Sequence, residues 1–169
     1  MQIKKTPAQK AIRVLAIDPG PVESAYVQWD GENIEAFGIE DNETVLDLVN
    51  LVGGAPKNLA IEQVRSYGMP VGATVFDTVF WTGRFCQAWH GDFWLVPRLE
   101  VKLHICHDSR AKDSNIIQAL ADRFAYGTRN LGKGIKKKPG FFYGFRKDIW
   151  QAFALAVFFV DVRSNQVQL

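Results

Sequence analysis

Cysteine is scarce in this chain, with Cys86 and Cys106 the only two among 169 residues. Two thiols cannot build the disulfide framework of a small secreted domain, and the first residues carry no apolar stretch of the secretion-signal type. A reducing, cytoplasmic setting is therefore expected. Long apolar runs are missing as well. Nothing approaches the about 20 apolar residues of a membrane-spanning helix, and "FALAVFFV" at 153–160 is long enough to bury but not to cross lipid. Net charge is small, at +2, and neither an internal repeat nor a long linker divides the sequence.

With 47% hydrophobic and 22% charged residues, the chain has the composition of one globular domain. That domain is expected over 13–169, behind a polar, lysine-bearing tail at 1–12 expected to be flexible. The small net charge conceals an asymmetry: residues 98–148 hold 12 Lys and Arg against 5 Asp and Glu, while the remainder holds 8 against 13. A basic half suits a surface that meets phosphates, although a merely solvated face has the same composition.

Apolar runs at 13–18, 24–29 and 34–39 predict a three-stranded meander, with "DGEN" supplying turn chemistry between the last two. "NETVLDLVNLVGG" predicts a helix capped by Asn42, followed by a strand at 58–62. Near-helical spacing of apolar residues from Pro70 to Trp89 predicts a long helix, and 92–97 a fifth strand. "RLEVKLHICHD" fits either a strand or a short helix. "SNIIQALADRFA" predicts a helix capped by Ser114, "GKGIKKKPG" a flexible basic loop, and "DIWQAFALAVFFV" an apolar helix opened by Asp148. This order describes an α/β fold, a five-stranded mixed sheet flanked by helices.

Three acids fall at the ends of buried-looking elements: Asp18, Glu62 and Asp148. If the first and fourth strands lie side by side and parallel, Asp18 and Glu62 emerge at one edge, and a helix packed there brings Asp148 alongside. Gathered carboxylates repel unless protonated or holding cations, and hard oxygen ligands suit Mg²⁺ or Mn²⁺. Each acid also has a plain structural use, in an Asp-Pro-Gly turn, at a strand end and as a helix cap.

The segments "VLAIDPGPVESAYVQWD", "LAIEQV", "RAKDSNIIQALADRFA" and "RKDIWQAFALAV" together resemble RuvC-type Holliday junction resolvases, in particular their divergent phage-encoded branch. The resemblance implies an RNase H-like fold, a homodimer, and cutting of four-way DNA junctions by paired symmetric nicks with two Mg²⁺ ions per active site, Mn²⁺ substituting. On this mapping Asp18 bridges the ions, Glu62 and Asp148 complete the ligand set, and Lys112 matches the catalytic-lysine segment or simply contacts a phosphate. Where the family commonly places an aspartate three residues into the last helix, this chain has Gln151. Either Asp148 suffices, or Asp113 substitutes, or the enzyme is weakened. The resemblance also makes Tyr67 a candidate for an aromatic that stacks into the opened junction, a loop anchor being the other reading.

Arg65, Arg110, Lys136, Lys137, Lys138, Arg146 and Lys147 are the candidate DNA contacts, tracking phosphates rather than reading bases. His104, Cys106 and His107 lack a second ligand pair at zinc-finger spacing, so no zinc is expected. Phe76, Phe80, Trp81 and Phe85 form an aromatic helical stripe suited to core or dimer interface. "PVESAY" lacks the glycines of an ATPase phosphate hairpin. A DNA-binding protein without catalysis, or a nuclease acting on RNA/DNA hybrids, remains the alternative.

Overall fold

A computed structural model describes residues 12–52, 58–66, 68 and 70–166. The proposed tail therefore lies almost wholly outside the described residues, as does Tyr67. The chain runs β1 (Val14–Asp18), β2 (Glu23–Trp29), β3 (Ile34–Asp41), α1 (Asn42–Val52), β4 (Asn58–Gln63), α2 (Ala73–Ala88), β5 (Phe93–Pro97), α3 (Arg98–Cys106), α4 (Asp113–Phe124), β6 (Gly134–Ile135), β7 (Lys138–Pro139) and α5 (Ile149–Gln166). The five main strands form one mixed sheet in the order β3-β2-β1-β4-β5. Strands β1 and β2 and strands β2 and β3 pair antiparallel, while β4 runs parallel to both β1 and β5.

The apolar runs of β1 and β4 are continuous because both faces of the sheet are covered. Val14, Ala16 and Ala60 pack on one side with α5 and with Val101, Ile116 and Leu120 from α3 and α4. Leu15, Ile17, Leu59 and Ile61 point the other way, onto Val45 and Val49 of α1 and Phe85 of α2. Ten residues of α5 are buried, which explains why its sequence is apolar all round. Among the described residues no helix is long and apolar enough to cross a membrane.

Several local expectations need correction. Asp41, rather than Asn42, caps α1: its carboxylate accepts hydrogen bonds from the Thr44 backbone N–H and hydroxyl. Asn42 is buried instead, accepting from the Ser24 hydroxyl and donating its amide to the Gly20 carbonyl. The ambiguous 98–108 stretch is a helix, ended at His107 in the left-handed conformation. Helix α4 begins before Ser114, with Lys112 at its N-cap position and its backbone N–H bonded to the Asn115 side chain.

The basic segment 132–140 is a tight β-hairpin rather than a loose loop. Gly132 and Gly134 take positive φ there, and a Cβ at Gly132 would lie 2.4 Å from that of Ala125. Phe141, Phe142 and Phe145 then pack against Phe153, and Phe142 and Phe145 also pack against Trp150, pinning the segment to α5.

Candidate active site

Side chains alternate along a strand, and this alternation fixes where two of the acids lie. Asp18 follows Val14 and Ala16 in β1, and Glu62 follows Ala60 in β4, so both carboxylates belong to the α5 face of the sheet. The parallel register pairs Ile17 with Ile61, one residue earlier in each strand, making Asp18 and Glu62 neighbours at one edge. The turn after Asp18 is held from behind: the Gly20 backbone N–H donates to the Ser24 hydroxyl and its carbonyl accepts from Asn42. A Cβ on Gly20 would come within 2.3 Å of the Glu23 carbonyl oxygen, so the turn needs glycine there.

Asp148 immediately precedes α5, after Lys147, which holds a left-handed backbone at φ 44°. A non-glycine residue in that conformation is strained, and the mutually packed Phe145 and Trp150 flank it in the chain. Asp113 opens α4. Asp18 and Glu62 feel the charge of the other acids. Burial, then the Glu62 carboxylate, push the Asp18 pKa well above the ordinary value, with Asp148 and Asp113 adding to the effect and Arg98 opposing it. Burial also raises Glu62, with Arg98 opposing and Asp113 and Asp148 contributing.

Arg98, at the head of α3, joins this group. Its Nη1 lies 3.1 Å and 3.5 Å from the two Glu62 oxygens, and its Nη2 lies 2.7 Å from Asp113 Oδ1. Burial works against the guanidinium charge, but Glu62 and Asp113 outweigh it and raise the pKa further. The sequence reading missed Arg98. Its signal was positional: β5 is parallel to β4 with Glu62 opposite Val96 and Gln63 opposite Pro97, so the residue after Pro97 emerges beside Glu62.

A cavity of about 420 Å³ is lined by two of the acids, Asp113 and Asp148, with Gln151 and with Lys133, Arg146 and Lys147. Gln151 is buried, at 4% exposure, and is among the residues lining this cavity. Lys133 is a second residue that sequence reasoning did not single out; its ammonium lies 5.9 Å from the centre of the Trp150 ring. Lys112 is exposed at the start of α4, and Lys136, Lys137 and Lys138 are exposed on the hairpin. Arg65 is exposed and bonded to Gln63, whereas Arg110 is exposed in the turn after α3, where its backbone N–H bonds to the Asp108 carboxylate.

The donor set fits a hard divalent cation, since carboxylate oxygens supply it and the Asp18 carboxyl, raised first by burial, is raised further by neighbouring like charges that a cation would offset. The acids are nevertheless not pre-arranged as a single cage. Among the described residues no three His, Cys, Asp or Glu side chains stand close enough to hold one ion together. His104 is engaged elsewhere: its Nε2 lies 2.7 Å from Asp161 on α5, the carboxylate that also accepts from Arg123.

Solved structures share this arrangement of strands and helices. A Thermus thermophilus RuvC in complex with Holliday junction substrate superposes with a TM-score of 0.65 at 12% identity, covering 91% of this chain and 96% of that one. The fold is that of RuvC. A second T. thermophilus RuvC structure gives a TM-score of 0.60 at 14% identity over 90% of this chain and 96% of the other. No family model matches the sequence. No curated protein matches it either. The RuvC-type fold thus accounts for the five-stranded mixed sheet with flanking helices and for the parallel β1–β4 pair whose edge carries Asp18 and Glu62.

Proposed function

We propose that this chain is a divalent-cation-dependent endonuclease that cuts four-way or branched DNA. The observation that carries this reading is one cavity whose lining combines Asp113 and Asp148 with Lys133, Arg146 and Lys147. Carboxylates for a cation and ammonium or guanidinium groups for a phosphate meet there, as hydrolysis of a phosphodiester requires. The T. thermophilus neighbour is bound to a Holliday junction substrate, which makes a four-way junction the first substrate to try.

Asp18, Glu62 and Asp148 are the residues proposed to hold Mg²⁺ or Mn²⁺, with Asp113 and Gln151 beside them. Such a cation, when bound, activates a water and offsets charge on the scissile phosphate. The remaining work belongs to the chain's own groups. Arg146 and Lys147 orient the phosphate against the acids, and Lys112 adds an ammonium at the positive end of α4. Lys136, Lys137 and Lys138 extend the phosphate track along the hairpin, with Arg65 and Arg110 as further contacts and Tyr67 as the stacking group.

Paired nicks require two such sites in a homodimer. Phe76 and Phe80, at 65% and 62% exposure on α2, form with Val79 the apolar surface proposed to join the protomers. Phe85 of the same helix is fully buried in the core, so the aromatic stripe divides between the two uses.

A labelled four-way junction incubated with Mg²⁺ or Mn²⁺ tests the reading. Symmetric nicks by the wild type and none by Asp18→Asn are expected. Binding without cuts in either protein would favour a junction-binding protein, the reading that the uncharged, buried Gln151 favours. Preferential cutting of an RNA/DNA hybrid in the same assay would instead indicate RNase H-like activity.

A further inference from the structure

The four acids of the candidate site divide into two pairs. Glu62 and Asp113 are both bonded to Arg98, which addresses both Glu62 oxygens with one nitrogen and Asp113 with the other. The carboxylates of Asp18 and Asp148 have no hydrogen-bond or ion-pair partner among the described residues, although the Asp148 backbone carbonyl accepts from the Gln151 and Ala152 N–H groups. Gln151, beside Asp148, adds an oxygen ligand but no charge. One half of the centre therefore already holds a cation, and the other half lacks one.

We propose that Arg98 is the resident counter-ion of the acidic centre, occupying Glu62 and Asp113 in place of one divalent ion, so that each protomer binds a single divalent cation at the Asp18–Asp148 side. The inference rests on the cation-dependent reading above, takes Glu62 out of the ligand set named there because Arg98 occupies it, and departs from the two-ion scheme implied by the sequence resemblance. A guanidinium forks across two carboxylates with directed hydrogen bonds, whereas Mg²⁺ sheds its water reluctantly and seeks several oxygens in octahedral geometry. To recruit Glu62, an ion has to break charge-assisted bonds to a cation tethered to the same chain. Arg98 is also only partly exposed, with a third of its side chain accessible, so water screens these bonds less than at an open surface. The absence among the described residues of any three-acid cage is what a pairwise division produces.

The test counts ions rather than cuts. Full-length protein is titrated with Mn²⁺ alone, and free aquo-Mn²⁺ is followed by electron paramagnetic resonance, for the wild type and for Arg98→Gln. The expected count is about one Mn²⁺ per protomer in the wild type and about two in the variant, Glu62 and Asp113 having become available. Two ions in the wild type overturn the inference whether or not the variant folds, because Arg98 is then displaced. One ion in both folded proteins overturns it too, since something other than Arg98 excludes the second. No binding in either would sink the cation-dependent function itself, a failure distinct from both.

Discussion

Asp18 sits where a carboxylate is hard to keep charged, half-buried at the end of a core strand and beside Glu62. Its raised pKa means that the cost of ionising it is full at neutral pH and fades as pH falls through the folded value toward the ordinary carboxylate range. Without a divalent ion, then, Asp18→Asn is expected to melt a few degrees above the wild type at pH 8, a difference that narrows toward pH 5. Thermal melts in EDTA check this. The same variant should lose cutting by about 100-fold or more while still binding a junction, as gel-shift and nicking assays would show.

Asp161 behaves oppositely. Although burial opposes it, hydrogen bonds from Arg123 and His104 hold its pKa below the usual carboxylate range. Its contribution is therefore present above the unfolded value and is lost as pH falls through the folded one. Asp161→Asn should cost about 1–2 kcal/mol at pH 7, and the deficit should shrink below about pH 4. Denaturant melts at the two pH values measure it.

At the scale of elements, the hairpin and its aromatic anchor separate binding from stability. Lys136, Lys137 and Lys138 are exposed, so changing all three to alanine should leave the melting temperature unchanged. It should weaken junction binding and lower the slope of log affinity against log salt by up to about 3. A titration across salt concentrations tests it. Phe142, fully buried among Phe145, Trp150 and Phe153, is different. Phe142→Ala should cost about 3–5 kcal/mol, and through the loosened 141–148 segment it should also reduce cutting, which urea unfolding and nicking assays would report together.

This segment marks a limit of what the residues alone disclose. "GKGIKKKPG" has the glycine and charge content of a loop, and nothing local reveals that Phe141, Phe142 and Phe145 fold back on α5. Strands β1 and β4, by contrast, were legible because burial on both faces leaves continuous apolar runs ending in an acid. For α3, alternation of apolar residues fitted two periods at once, and the tertiary packing of Val101 decided between them. Arg98 was invisible for a further reason: its meaning depends on which strand lies beside β4, information held in the sheet order rather than in its own neighbourhood.

At the scale of the whole molecule, the exposed Phe76 and Phe80 are proposed to be covered by a second copy. Phe80→Asp should then give a monomer by light scattering, with unchanged circular dichroism and single rather than paired nicks. The ligand candidates have a temporal consequence as well. Asp18 leaves the ribosome long before Asp148, and α5, against which the sheet closes, is made later still. At about 5–20 residues per second, several seconds of synthesis separate the first acid from the last. A nascent chain thus carries strand ends but not the assembled group of acids, and under the proposed function no cutting centre can form before the basic hairpin that precedes Asp148 has been made.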